Sequence, residues 1–226
     1  AVVIWSAMLV VKKGPQLHRL TKGFLPFLVV VGAMDVLVVL EPDLSTALLY
    51  TLLMTVVLFA GGIRIGFLLV MIVIGVPVLW HEAQHLQYVF ARIVSFANAG
   101  PNVTAINYQL RQSLIAVGSG RLLGVGFGHG HQQGGFVPFP YDDFIGSTIG
   151  EEWGFIGLTA IVVAFAAWTW LGFGIARQAR SQFLQLVAIG LTFSIATTAC
   201  LHLGVVIGLL PTTGLTLPFV SYGRSD

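Results

Sequence analysis

Long runs of apolar residues, separated by short polar segments, are the feature that most limits how this chain can fold. A helix of about 20 apolar residues can cross a bilayer, and tilting or adaptation of the bilayer accommodates somewhat longer or shorter ones. The runs predict one partial span, 1–11, and further spans at residues 24–40, 44–60, 65–80, 144–173 and 183–203. The sequence therefore predicts a polytopic membrane protein.

Charge is scarce enough to exclude most other classes of protein. Charged residues make up 9% of the 226 residues, whereas soluble domains average about 25%. Such a chain is neither an ordinary soluble enzyme nor a disordered chain. The net charge of +2 argues against a nucleic-acid partner, and the single cysteine, Cys200, permits no internal disulfide bond. We expect an all-α fold in which residues 1–226 form a single membrane domain.

The distribution of Lys and Arg predicts which loops face the cytoplasm. Strict alternation of the spans places a set of basic residues, with no acidic residue among them, on one side: Lys12, Lys13, Arg19, Lys22, Arg64, Arg177 and Arg180. The positive-inside rule assigns this side to the cytoplasm. The large loop 81–143 and the tail 210–226 are then extracytoplasmic. Within the loop, the pattern of Tyr108–Val117 predicts an amphipathic helix that lies in the membrane interface.

Two groups of acidic residues lie at the outer membrane edge. Asp43 precedes the span 44–60, where an Asp suits a helix cap and where pairing with a cation is the alternative. Further along, Asp142-Asp143 and Glu151-Glu152 fall close together at the start of the span 144–173. Adjacent carboxylates repel each other, which raises the pKa of one member of a pair, as a general base requires. A solvated helix N-terminus is the structural alternative.

One short motif favours a different class of function. His81-Glu82-Ala83-Gln84-His85 matches the H-E-x-x-H pattern, in which two histidines bind zinc and the glutamate acts as a base. A catalytic zinc also needs a third protein ligand, and no other histidine lies in a second motif. A membrane zinc protease is therefore a remote alternative, and an interfacial helix turn explains the same residues.

Four segments along the chain resemble the motifs of one family of membrane enzymes. They are EPDLSTA from Glu41, YQLRQSLIAVGSGRLLGVGFG from Tyr108, FVPFPYDDFIGSTIGEEWGFIG from Phe136 and GLLPTTGLTLPFVSYG from Gly208. Their order and spacing resemble those of the SEDS family of bacterial cell-wall polymerases, FtsW and RodA. The segment GLTLP is more similar to the FtsW motif than to the RodA motif. Four motifs in register are far more specific than any one of them.

The resemblance implies a fold and an activity. The chain would be part of a larger helical membrane protein, truncated at both ends. Members of the family polymerise lipid II, the undecaprenyl-pyrophosphate-linked disaccharide peptide, into glycan strands at the outer face of the cytoplasmic membrane during division or elongation. The acid before Phe-Ile in the third motif is the family's catalytic residue, which selects Asp143 over Asp142. Asp142 itself departs from the family, which has Thr there.

The resemblance also implies the other parts of the site. An inverting displacement needs a carboxylate that takes the proton of the attacking sugar hydroxyl, and it needs no covalent enzyme intermediate. The pyrophosphate leaving group needs cationic stabilisation. Arg92, Arg111 and Arg121 are the outer cations available, and a divalent cation, Mg²⁺ or Mn²⁺, is a further option. No metal-ligand set is assigned. The remaining candidates for substrate binding are Gln109, Glu151, Glu152 and Ser221.

The implied partners are lipid II, a class B penicillin-binding protein that crosslinks the strands, and other membrane proteins of a division or elongation complex. The implied location is the bacterial cytoplasmic (inner) membrane, crossed several times, with the active site facing outside. A lipid II flippase or transporter is the main alternative, because a cavity with acids at its mouth serves either role. The two differ in whether Asp143 is needed for bond formation or only for movement of the lipid.

Overall fold

The computed structural model of the protein describes residues 1–14, 23–41, 43–69, 105–130 and 143–222, together with Val73, Val94 and Phe96. Within these residues every regular element is a helix, which confirms the predicted all-α fold. Residues 65–69 begin a further helical segment. The complete helices are α1 (Val2–Lys13), α2 (Leu25–Leu40), α3 (Leu44–Ala60), α4 (Ala105–Gly120), α5 (Ile145–Glu152), α6 (Gly154–Arg177) and α7 (Gln182–Val206).

Two of the helices have the length and composition of membrane spans. α6 has 24 residues and α7 has 25, which at about 1.5 Å per residue exceeds the roughly 30 Å of a hydrocarbon core. Only 11% of the most apolar stretch of α6, and 28% of that of α7, is buried inside the protein. A core helix of a soluble protein would be mostly buried, so these apolar side chains suit contact with lipid.

The chain divides into two compact units, and α6 and α7 contribute residues to both. The first unit comprises Ala1–Gln87 and Trp168–Ser194. Its core is formed by α1, α2 and α3, with Leu186 of α7 buried among them. The bounds of α2 and α3 agree within one residue with the predicted spans 24–40 and 44–60. The assignment of all residues to a single membrane domain stays a prediction.

Polar side chains fix parts of this first unit. The side chain of Asp43 accepts a hydrogen bond from the Thr46 backbone N–H (3.1 Å), so Asp43 is the N-cap of α3. Asp43 therefore caps α3, which is the structural alternative that the sequence offered for it. Between α2 and α3, the Thr51 hydroxyl donates to the Asp35 carboxylate at 2.6 Å. A carboxylate within an apolar helix is costly unless it is hydrogen-bonded, and Thr51 supplies that bond.

The second unit comprises Tyr88–Ala167 and Ile195–Asp226. The predicted interfacial helix is present as α4, which extends beyond Tyr108–Val117 at both ends. The prediction of one continuous span over 144–173 is wrong, because the structure has two helices there, α5 and α6, separated at Trp153. The break occurs because Gly154 has a φ of +64°, a left-handed conformation that ends α5.

The glycine-rich segment after α4 satisfies the backbone groups that this break leaves open. The N–H groups of Val125 and Gly126 donate to the carbonyls of Glu151 and Glu152 at the end of α5, at 3.0 and 3.1 Å. The carbonyls of Arg121 and Leu122 accept from the first N–H groups of α6, at 2.9 and 3.2 Å. Unpaired polar groups at helix ends would otherwise make a break here unfavourable.

Candidate active site

A small cavity lies beside the start of α5, within the second unit. Its described lining residues come from four segments: Gln109, Asp143, Phe144, His202, Val205, Thr212, Thr213, Gly214 and Leu215. The cavity has about 20 Å³ open to the centre of a water molecule, which is room for roughly one water. It therefore presents polar groups to a molecule at its mouth and does not enclose a large ligand.

Asp143 is held at this cavity by the residue that follows it. Phe144 is 3% exposed and packs against Val205 of α7 and Leu210. Its carbonyl accepts hydrogen bonds from the Ser147 hydroxyl (2.7 Å) and the Ser147 N–H (2.9 Å), which closes the first turn of α5. A buried aromatic anchor and a closed helical turn leave the neighbouring Asp143 backbone little freedom to move.

The segment after α7 folds back toward the same cavity. The Leu209 N–H donates to the Gly204 carbonyl (2.8 Å), the Gly208 N–H donates to the Val205 carbonyl (3.0 Å), and Gly208 has a φ of +73°. This is a Schellman cap, which reverses the chain after a helix. Leu210 then packs beside Gly204, where a Cβ would lie 2.7 Å from a Leu210 methyl carbon. The reversal brings residues 212–215 to the cavity.

His202 connects these two segments, and the sequence motifs did not identify it. Its Nδ1 lies 2.9 Å from the Leu215 carbonyl oxygen, and the Gly146 N–H donates to its Nε2 at 3.4 Å. The side chain is 1% exposed. One sequence signal is that a titratable residue lies inside the apolar run 183–203, and such residues are usually paired or functional.

The two adjacent glutamates lie away from the described cavity lining. Glu151 and Glu152 are 1% and 8% exposed and end α5. The Gly128 N–H donates to the Glu152 carboxylate at 3.0 Å. Together with the backbone bonds described above, this contact ties the glycine-rich segment to the end of α5. Binding of substrate by these two residues stays a prediction, and what the structure shows is their contact with that segment.

The other predicted residues take different positions. Gln109 shares the cavity with Asp143, whereas Arg111 and Arg121 are exposed and are not among its described lining. Arg121 has a φ of +49° in the turn that follows α4. The Ser221 hydroxyl accepts from the Leu217 N–H at 2.8 Å, in a turn after the cavity segment.

Some predicted residues lie outside the described part of the chain. These are Arg92 and the H-E-x-x-H residues His81, Glu82 and His85, together with Asp142. The structure therefore leaves the zinc alternative and the first arginine as predictions. Val125, Gly126 and Gly128, by contrast, are described, and their contacts with α5 were not foreseen from the motif that contains them.

Taken together, the fold and the site define an all-helical membrane protein with a carboxylate-bearing cavity beside its apolar helices. Comparison with known proteins makes this class more specific. The sequence model of one family, described as cell cycle protein and comprising FtsW, RodA and SpoVE, matches residues 1–226. The chain belongs to this FtsW/RodA/SpoVE family.

Similar proteins have been named in several bacteria. The chain is 36% identical over 226 residues to a probable peptidoglycan glycosyltransferase FtsW of Trichlorobacter lovleyi, and 34% identical to the stage V sporulation protein E of Bacillus subtilis. All of this chain is covered in both cases, but only 59% and 62% of the relatives. The chain thus spans about 60% of the length of the curated relatives that it matches.

A solved structure is similar as well. The described fold matches a chain of a peptidoglycan synthase complex, in work on the structural coordination of polymerization and crosslinking, with a TM-score of 0.64 and 26% identity. The match covers 87% of this chain and 53% of that one. The similarity supports the polytopic helical membrane fold that the apolar runs predict.

Proposed function

We propose that this chain forms the catalytic part of an inverting peptidoglycan glycosyltransferase that polymerises lipid II into glycan strands. The observation that carries the proposal is the position of Asp143, which lies on the cavity wall beside Gln109 and residues 212–215. Relatives named as peptidoglycan glycosyltransferases, similar along the whole of this chain, support the same chemistry. This chain covers 59% and 61% of the length of those relatives.

In the proposed reaction, Asp143 acts as the general base. A sugar hydroxyl attacks the anomeric carbon of a second lipid-linked sugar, and the Asp143 carboxylate takes the hydroxyl proton as the new C–O bond forms. The bond between the anomeric carbon and the pyrophosphate oxygen breaks, and the undecaprenyl pyrophosphate leaves with that electron pair. One displacement of this kind inverts the anomeric centre, so no side chain has to act as a nucleophile.

The other cavity residues would orient the sugars. Gln109 offers an amide, and Thr212 and Thr213 offer hydroxyls, which are the groups that recognise sugar hydroxyls through paired hydrogen bonds. The segment of the two threonines is fixed by the Schellman cap at Gly208 and by the bond between His202 and Leu215. Holding reactants in an attack geometry supplies a large part of a rate enhancement.

The pyrophosphate requires positive charge as it leaves. The described lining of the cavity contains one carboxylate, one amide, two hydroxyls and the His202 imidazole, whose two nitrogens are engaged by Gly146 and Leu215, but no Lys or Arg. Oxygen donors with a single carboxylate suit Mg²⁺ or Mn²⁺ held jointly with substrate phosphate. Such a cation would neutralise developing charge on the leaving group. We infer that either this cation or Arg92, Arg111 and Arg121 supplies the charge.

We further infer a location and partners. The protein would lie in the bacterial cytoplasmic membrane, crossing it several times, with Asp143 facing outside, in agreement with the distribution of basic residues. A class B penicillin-binding protein would crosslink the strands, and other division or elongation proteins would join the complex. The similar chain in a peptidoglycan synthase complex supports a partnership of this kind.

The test uses the protein at its full natural length, purified with its partner transpeptidase. Lipid II is added, and the glycan products are separated on a gel for the wild type, Asp143→Asn, Asp43→Asn and His81→Ala. Asp43→Asn is the matched control, because Asn caps a helix as well as Asp does. Strands from every protein except Asp143→Asn support the proposal. Absence of strands from a folded wild-type complex contradicts it and favours the flippase, whereas strands from His81→Ala argue against the zinc alternative.

A further inference from the structure

A single side chain joins the segment that carries Asp143 to the segment that forms another part of the cavity wall. His202 lies on α7, Gly146 lies three residues after Asp143, and Leu215 ends the cavity-lining stretch 212–215. Both ring nitrogens of His202 are used, one toward each segment, at 3.4 Å and 2.9 Å. At 1% exposure the side chain is almost wholly buried, so an unmet ring nitrogen would be costly.

The partners determine which nitrogen carries the proton. A backbone N–H can only donate, so Nε2 accepts from Gly146. A backbone carbonyl can only accept, so Nδ1 must carry the hydrogen that it shares with Leu215. The two contacts together therefore select one neutral tautomer, and flipping the ring would remove both. Gly146 permits the approach, because a Cβ there would lie 3.3 Å from Nε2 and 3.1 Å from a Val206 methyl carbon.

We propose that His202 is a positioning residue, whose bonds to Gly146 and Leu215 set Asp143 and residues 212–215 in the arrangement that the reaction needs. This inference rests on the proposed function. The Gly146 bond acts on the segment of the general base, so its loss lowers kcat. The Leu215 bond acts on the segment whose hydroxyls would contact the sugar, so its loss raises KM. Neither effect requires His202 to touch the substrate.

Three substitutions separate the two bonds. His202→Asn places an amide N–H near the position of Nδ1 and keeps the donor to Leu215, but it loses the acceptor for Gly146. His202→Gln reaches the position of Nε2 and keeps the acceptor, but it loses the Nδ1 donor. His202→Leu removes both bonds and puts an apolar side chain of similar size in place of the imidazole. The amide geometry of Asn and Gln makes each a partial rescue of His202→Leu.

Ser113 provides the matched control for a purely structural loss. Its side chain is 0% exposed, and its hydroxyl donates to the Val206 carbonyl, near the end of α7, at 3.0 Å. Ser113 is not among the described lining of the cavity, and its hydrogen bond is to Val206, not to Gly146 or Leu215. Ser113→Ala thus removes a buried hydrogen bond close to His202 while both bonds of His202 remain.

The experiment measures kcat, KM and thermal stability for the full-length protein with its partner transpeptidase, using fluorescent lipid II. We expect His202→Leu to lower kcat/KM by about 100-fold, as displacement of a reacting group by an ångström does. We expect His202→Asn to lower kcat with KM kept, His202→Gln to raise KM with kcat near the wild-type value, and Ser113→Ala to lower stability alone.

Two results would overturn the inference. One is a loss of activity in the His202 variants that merely follows their loss of stability, with kcat and KM changing together as the folded fraction falls. The other is wild-type kinetics in the Asn and Gln variants. Absence of any polymer from the wild type would instead contradict the proposed function, so the two failures are distinguishable.

Discussion

Replacement of Gly120 with Ala should break the contact between α4 and α5. A Cβ at Gly120 would overlap the carbonyl oxygen of Gly150 and would lie 2.9 Å from the carbonyl oxygen of Glu151. Both oxygens belong to helix backbone, so neither can turn aside as a long side chain would. Overpacking of a well-packed site costs about 1–3 kcal/mol, and a backbone overlap places Gly120→Ala at the upper end, near 3 kcal/mol.

Gly118 is the control, in the same helix and two residues earlier. Apart from its chain neighbours and the backbone of its own helix, no atom of the described residues lies within 4 Å of a Cβ built there. Because Ala favours helix over Gly, Gly118→Ala should be neutral or stabilising by up to about 1 kcal/mol. At about 2–4 °C per kcal/mol for a domain of this size, Gly120→Ala should lower the apparent Tm by roughly 6–12 °C, and Gly118→Ala should not lower it.

The assay heats the purified full-length protein in detergent and measures the fraction that remains monodisperse by size-exclusion chromatography. Equal shifts in the two variants, or a wild-type Tm for Gly120→Ala, would refute the close backbone contact between α4 and α5. A lower Tm for Gly118→Ala alone would refute the placement of α4 with Gly120 toward α5. The comparison is valid when the variants and the wild type are inserted into the membrane at equal levels. The fluorescence of a C-terminal fusion measures those levels.

Three further predictions concern other parts of the chain. Asp43→Ala should lower the free energy of unfolding by about 1 kcal/mol through loss of the α3 cap, and Asp43→Ser should restore most of it in the same thermal assay. Thr51→Val should destabilise by about 1–3 kcal/mol, because the Asp35 carboxylate loses its donor; a Tm equal to that of the wild type would contradict that contact. Chelation with EDTA should slow polymerisation by about 100-fold and added Mg²⁺ should restore it, whereas an unchanged rate would assign the cationic role to arginines such as Arg92.

The apolar pattern predicted much of the fold because it reports on burial and solvent, which are local properties. The bounds of α2 and α3 follow from the runs 24–40 and 44–60 and from Asp43 as a cap. The break at Trp153 does not interrupt the apolar pattern, so periodicity missed it. It depends on Gly154 in a left-handed conformation and on carbonyls supplied by residues 121 and 122, which are distant in sequence.

The candidate site was predictable only in part, because several of its contacts join residues that are distant in sequence. Asp143 carried a signal in the acid cluster and in the motif around it, and Gln109 came from another motif. His202 carried almost none, because its role depends on Gly146, 56 residues earlier, and on Leu215, 13 residues later. The contacts of Val125, Gly126 and Gly128 with α5 carried no signal in their motif, because they depend on which backbones approach each other in the fold.

The central claim is that Asp143 takes a proton in bond formation and is not needed to hold the lipid. The most direct test measures lipid II binding and the single-turnover polymerisation rate for the wild type and Asp143→Asn of the full-length protein. We expect binding close to that of the wild type and a rate lower by about 10²–10⁴-fold, the usual contribution of a general base. A variant that polymerises at the wild-type rate, or that fails only because it no longer binds lipid II, would contradict this account.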